Sequence, residues 1–363
     1  AEERIDELER QLRSLDEELE SLQFGDKLFA PVGPTGQAGL APAASKIYSA
    51  DQGLSSGGYG EMLYTDCDAG AELDLYRAIV YLGYRFDENW LFNSEIEWEH
   101  VGETAVEFAY LEYQHDDALN LRFGHMLVPM GFVNQLHEPT TFLSPNRPLL
   151  ERYILPTTWH ENGVAAYGSL GDFDYHVALI NGFDAEGFDL ESSGLRGGRQ
   201  KGSQAKADDL AAVLHLDWNG VDGLWLGGSV YLGDSGQDSA ASDFATTVFE
   251  LHAQYQYRGF ISRAVYAAAS IEDADQLTTA SASEDLSGYY LDLGYDVFAE
   301  RETDASLTPF LRYAAYDLSE DSPADSEVTR LMLGLAYQPI PQLIFKAAFT
   351  QEEQGATEDD IIE

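Results

Sequence analysis

Phe244-Ala245-Thr246-Thr247-Val248-Phe249-Glu250-Leu251-His252-Ala253-Gln254-Tyr255-Gln256-Tyr257 is the stretch that decides the fold. Its odd positions, from Ala245 through Phe249 and Leu251 to Tyr257, are mostly apolar and end in tyrosines. Its even positions, Thr246, Val248, Glu250, His252, Gln254 and Gln256, are mostly polar. Successive side chains of a strand point to opposite faces, so this segment has one oily face and one wet face. One such strand would also suit a half-buried sandwich. Its repetition along the chain decides the matter.

Working outward, Tyr76, Ala78, Val80, Leu82, Tyr84 and Phe86 form an apolar face, with Arg77 and Arg85 at the opposite parity. Trp90, Phe92, Ile96 and Trp98 oppose Asn93, Glu95, Glu97 and Glu99. Tyr289, Leu291, Leu293 and Tyr295 oppose Tyr290, Asp292 and Asp296. Fifteen such strands are predicted between residues 56 and 352, among them 104–113, where Glu107 and Glu112 differ in parity and leave the face unassigned. Tight turns such as Asp87–Asn89 and Arg258–Gly259 alternate with long polar loops at 128–161, 184–207, 234–243, 271–285, 318–326 and 353–360. Strands of ~10 residues, apolar outside and polar inside, with short turns at one end and long loops at the other, mark a transmembrane β-barrel. Such barrels have an even strand count, and Ile361, Ile362 and Glu363 look like the start of another strand. The fold class expected is therefore all-β: a sixteen-stranded antiparallel transmembrane barrel over 54–363, its last strand cut off.

Residues 1–23 have a different period. Ile5, Leu8, Leu12, Leu15, Leu19 and Leu22 follow a 3-4 spacing between charged and amide residues, the seam of a coiled coil. So short a helix is marginal alone, so partner copies are expected, and the seam is compatible with a trimer. A single amphipathic helix docked on its own domain is the alternative. Residues 24–53, with Pro31, Pro34 and Pro42, are expected to be a linker.

Composition bounds the function. The 363 residues carry 64 Asp and Glu against 20 Lys and Arg, a net charge of −44, which excludes a chain-wide nucleic-acid surface. A lone Cys67 excludes an intrachain disulfide and a cysteine zinc site. The eight histidines form no His-x-x-x-His pair and no Gly-x-Ser-x-Gly is present, so no enzyme and no cofactor are expected. The acids concentrate in residues 1–23 and in the loops, where divalent cations could bridge them to lipopolysaccharide.

Gly57-Gly58-Tyr59-Gly60-Glu61 opens the barrel, and Gly124-His125-Met126-Leu127-Val128-Pro129-Met130-Gly131 follows it. Then come His137-Glu138-Pro139, Glu161-Asn162-Gly163-Val164 and Pro309-Phe310-Leu311-Arg312-Tyr313. In this order the motifs resemble the trimeric Gram-negative outer-membrane porins, especially the phosphate-selective porin O and P branch. The N-terminal seam is similar to that of coiled-coil-bearing, DcaP-like porins. The resemblance implies a homotrimeric passive diffusion channel for small hydrophilic solutes and ions, with the coiled coil in the periplasm and a third loop folded into the lumen. An anion-, phosphate- or dicarboxylate-selective porin is one alternative, and an envelope tether that uses the coiled coil to bind a periplasmic partner is another.

Loop 128–161 gives independent support, because a solvent-exposed loop would rarely carry Phe132, Val133, Leu136, Phe142, Leu149, Tyr153 and Leu155 together. Its charged candidates for the constriction are Glu138, Arg147, Glu151, Arg152 and Glu161. On the strands, Arg77, Arg85, Arg122, Arg263, Arg312, Arg330 and Lys346 are expected to line the pore with Glu95, Glu97, Glu250 and Asp292. Those bases either pair with the carboxylates or form an anion-guiding wall. The similar number of lumen carboxylates sets this chain apart from phosphate-selective relatives and favours weak selectivity.

Overall fold

The computed structural model describes residues 37–238, 242–277, 284–320 and 326–363, so the coiled coil expected over 1–23 lies outside the described residues. The chain forms a closed barrel of sixteen strands, each antiparallel to its neighbours. The first eight are β1 (Gly53–Cys67), β2 (Gly70–Arg85), β3 (Trp90–Glu99), β4 (Glu103–Asp116), β5 (Leu119–Leu127), β6 (His160–Leu170), β7 (Phe173–Asn181) and β8 (Leu210–Val221). The rest are β9 (Leu224–Gly233), β10 (Thr246–Tyr257), β11 (Phe260–Ile271), β12 (Asp285–Tyr295), β13 (Ser306–Asp317), β14 (Val328–Ile340), β15 (Leu343–Gln354) and β16 (Thr357–Ile362).

Two expectations about the end of the chain are corrected. The sixteenth strand is present, and 353–360 is no long loop: β15 turns at Gly355, in the left-handed region at φ 57°, straight into β16. Glu358, Asp359 and Asp360 therefore pair with Glu353, Glu352 and Gln351 instead of lying in a loop. Six residues long, β16 meets β1 at a single register pair, Asp66 with Ile362. Asp296, expected on the wet face of β12, lies beyond the strand and caps the amides of Phe298 and Leu307.

Alternation behaves as expected in β10, where Val248, Glu250 and His252 are buried inward while Phe249 and Leu251 are exposed outward. The outward face is a belt of Leu, Val and Phe with tyrosines and tryptophans near its rim, including Trp90, Tyr255, Tyr257 and Tyr337. Such a belt suits hydrocarbon, where an outward Arg at midplane would cost about 2–4 kcal/mol. In β4 a bulge resolves the parity conflict. Glu95 pairs with Phe108 and Ile96 with Val106, so Glu107 is the extra residue, and both Glu107 and Glu112 point inward.

Long connections at 128–159, 182–209, 234–245, 272–284 and 318–327 share one end of the barrel, the loop end. The other, the turn end, carries two-residue turns such as 117–118, 222–223 and 258–259, and longer turns at 86–89 and 296–305. The second part of the segment read as a linker enters the barrel. Leu40, Ala44 and Ile47 pack on Ile79, Tyr81, Leu91, Phe108 and Tyr110 of β2 to β4. Gly83 permits this contact, since a Cβ there would lie 2.8 Å from the Cβ of Ile47.

Candidate functional site: the lumen and its inserted loop

The connection between β5 and β6 leaves the wall and crosses the barrel interior. Its neck is tied by Asn134, whose side-chain amide donates to the carbonyls of Val128 (2.7 Å) and Trp159 (2.9 Å) and accepts from the Trp159 amide. A five-residue helix, α1 (Leu149–Tyr153), follows Pro148 within it. Val128, Met130, Phe132, Val133, Phe142, Leu150, Ile154, Leu155 and Trp159 are buried, so the apolar content noticed in the sequence is spent on packing against the inner wall. The loop backbone then receives cations from the far wall. Arg263 of β11 donates to the Thr141 carbonyl (2.9 Å), Arg312 of β13 to the Ser144 hydroxyl (2.7 Å), and Lys346 of β15 to the Ser144 carbonyl (2.9 Å).

Most acids of the lumen accept from a buried donor or face a base. Glu138 accepts from the amides of Ala43 and Ala44 at 3.0 and 2.9 Å, joining the loop to the inserted N-terminal segment. Glu151 accepts from the Tyr290 hydroxyl and the Val133 amide, each at 2.5 Å. Glu161, expected in the loop, stands on β6 and accepts from Asn181 and from the amides of Gln200, Lys201 and Gly202. Burial pushes the Glu138 and Glu151 carboxyls upward, and these donors offset only part of that shift. His137 Nε2 is 3.2 Å from both Glu95 and Glu107. Burial alone would lower His137, but the two carboxylates more than reverse this and raise it. Glu112 takes Arg122 and the hydroxyls of Tyr48 and Tyr167, Asp292 takes Arg312 at 2.6 and 2.7 Å, and Glu250 takes Ser229 and His252.

The bases divide into two groups. Arg77 pairs with Glu61, Glu97 and Glu99, and Arg330 with Glu352, while Arg85 rests on Gln114 and Arg263 on Gln254. Arg147, Arg152 and Arg196 have no carboxylate within salt-bridge distance among the described residues. They share with Arg77 and its partner Glu61 the lining of a narrow void of about 20 Å³ on the loop side of the insert. Burial first, then Arg152 and Arg147, lowers Arg196 to about 10, which leaves it charged at neutral pH. On the turn side a wider cavity of about 980 Å³ opens beneath Phe132 and Leu136 and reaches the turns at Glu88–Asn89 and Asp222–Gly223.

Arg196 was not singled out from the sequence, because a pair of arginines in a glycine-rich run gives no sign that its loop meets the insert. Tyr48 was missed too, although Leu40, Ile47 and Tyr48 are unusually apolar for a linker and could have flagged it.

No family model matches the chain. A protein of Aquifex aeolicus (strain VF5), titled an uncharacterized protein, is 38% identical over 355 residues, covering 90% of this chain and 81% of its own. The chain belongs to the family of this Aquifex protein. Its barrel is similar to solved porins at identities that speak to fold alone. An anion-selective porin from Comamonas acidovorans has a TM-score of 0.57 at 12% identity, with 86% of this chain and 98% of that one covered. OmpF of Salmonella typhi, in complex with daunomycin, has a TM-score of 0.56 at 8% identity, with 86% and 96% covered. OmpT of Vibrio cholerae, in its trimer form, has a TM-score of 0.54 at 12% identity, with 85% and 98% covered. The chain thus has the sixteen-stranded outer-membrane porin fold.

Proposed function

We propose that this protein is a passive outer-membrane diffusion channel for small hydrophilic solutes, its bore set by the 128–159 insert and its throat favouring anions. The observation that carries this reading is an asymmetry of pairing. Most lumen carboxylates accept from a buried donor or face a base, and Glu61 at the loop-side void is paired with Arg77, whereas Arg147, Arg152 and Arg196 face that void without carboxylate partners among the described residues. Charges left open along a narrow aqueous path bias permeation by sign without any chemical step. Guanidinium groups also match carboxylate and phosphate oxygens in shape, so small oxyanions are the favoured class. The loop end faces the exterior and the turn end the periplasm, as in barrels with short periplasmic turns. Three copies, each with its N-terminal seam in the periplasm and its outer rim in lipopolysaccharide, complete the proposal. A dedicated phosphate or dicarboxylate porin remains a narrower form of it.

Planar-bilayer recording in a KCl gradient tests this. Stepwise insertions with a reversal potential of anion sign are expected. An absence of current steps would favour the tether reading, and a cation-signed potential would overturn the throat.

A further inference from the structure

The turn-side cavity has a second cluster that permeation does not require. Asp217 on β8 sits between two imidazoles, with Oδ2 3.0 Å from His215 Nε2 and Oδ1 3.0 Å from His252 Nε2. The other nitrogen of His252, Nδ1, is 2.7 Å from Glu250 Oε1, and Glu250 Oε2 accepts from the Ser229 hydroxyl at 2.9 Å. An ionised carboxylate can only accept, so Nδ1 carries the hydrogen toward Glu250. In the neutral ring Nε2 then presents a lone pair, and that lone pair faces an Asp217 oxygen. Something electropositive belongs between them: a second proton or a cation.

Three features favour the cation. A carboxylate behind one imidazole nitrogen is the arrangement that orients the other toward a metal. The row across the sheet runs Asp217, Gly227, His252, and Gly227, having no side chain, leaves the space above it to the other two. A Cβ on Gly227 would collide with Asp217 Oδ1 and His252 Nε2, so the convergence of the two depends on glycine. Finally, ligand atoms of His215, Asp217 and His252 lie within 4.8 Å of one another, and all three residues line the cavity, where water can complete a coordination shell.

We propose that His215, Asp217 and His252 form a binding site for a first-row transition-metal dication of the Zn²⁺ class, open to the turn-side cavity. Two imidazole nitrogens and one carboxylate suit Zn²⁺ and its neighbours, whereas Mg²⁺ and Ca²⁺ call for all-oxygen shells. The site touches the insert: the Phe132 ring packs edge-on to His252 at 5.1 Å, with the Arg263 guanidinium 3.9 Å above it. A bound metal therefore fixes the side chain on which the loop rests.

Calorimetric titration of the full-length protein in detergent with ZnCl₂, and with MgCl₂ as control, tests the site. One Zn²⁺ per chain is expected, with affinity lowered more than tenfold in Asp217→Asn, in His252→Gln and in Gly227→Ala, which removes no ligand. Zn²⁺ binding unchanged in all three would overturn the proposal, as would an absence of saturable binding to the wild type, which would leave a proton between the groups. Should the variants fail to fold, the Zn K-edge absorption of the wild type decides. An imidazole shell of two nitrogens is expected, and a shell without imidazole would refute the site.

Discussion

Arg312 grips Asp292 through two parallel hydrogen bonds of 2.6 and 2.7 Å, both groups buried inside the barrel wall. The third guanidinium nitrogen reaches Ser144, so the clamp also moors the inserted loop. Arg312→Gln leaves a buried carboxylate unpaired, and a loss of about 3–5 kcal/mol is expected. It also releases the Ser144 hydroxyl, leaving Lys346 alone on the Ser144 carbonyl, so single-channel current should rise and become noisier. Ser144→Ala spares the clamp and should raise current at a cost of about 1 kcal/mol. Wild-type current in both variants would show that the loop does not set the bore.

The throat should act through charges that salt can screen. Replacing Arg147, Arg152 and Arg196 by Gln should move the reversal potential stepwise toward cations, each alone giving part of the change. The wild-type bias should fade between 0.1 and 1 M KCl, as the screening length falls from about 10 to about 3 Å. A bias that persists at high salt would place selectivity elsewhere.

Loop anchorage should weaken as pH rises. Burial holds the Glu151 carboxyl above its ordinary value, so the folded protein retains a proton that the unfolded chain has already released. Stability therefore falls as pH climbs from the ordinary carboxylate range to the raised value. His137, raised by Glu95 and Glu107 against the effect of burial, has the same sign at higher pH: its contribution is full below the ordinary imidazole range and is lost as pH passes its raised value. Thermal melts from mild acid to mild alkali should show both slopes. Glu151→Gln should flatten the lower one and His137→Gln the upper, and unchanged slopes would refute the assignment.

Gly83→Ala puts a methyl group where Ile47 packs, and overpacking of this kind typically costs about 1–3 kcal/mol. Protease cleavage within residues 37–50 should accelerate. Adding Ile47→Ala should restore protection relative to Gly83→Ala alone. Additive damage would mean that the two do not meet.

Strand order and the inward parity of Arg77, Arg122, Glu95 and Asp292 were legible in the sequence because period-two alternation responds directly to having lipid on one side and water on the other. The insertion of 128–159 was legible in its surplus of buried-type residues. Glu107 was ambiguous because one bulge residue reverses parity, and pairing partners alone reveal a bulge. The last strand was misplaced by four residues because Glu358, Asp359 and Asp360 resemble a loop until their partners on β15 are known. The approach of Asp217 to His252 could not be read, since it depends on register across three strands and on a glycine between them.

Residues 37–50 and the 128–159 insert both upholster the tube and are stitched together by Glu138. Calibre is thereby uncoupled from hoop size. The strand number fixes the outer girth, while in the proposed channel the gap between the two linings would govern what passes. Those linings can be retailored residue by residue without unpicking a single rung of the ladder.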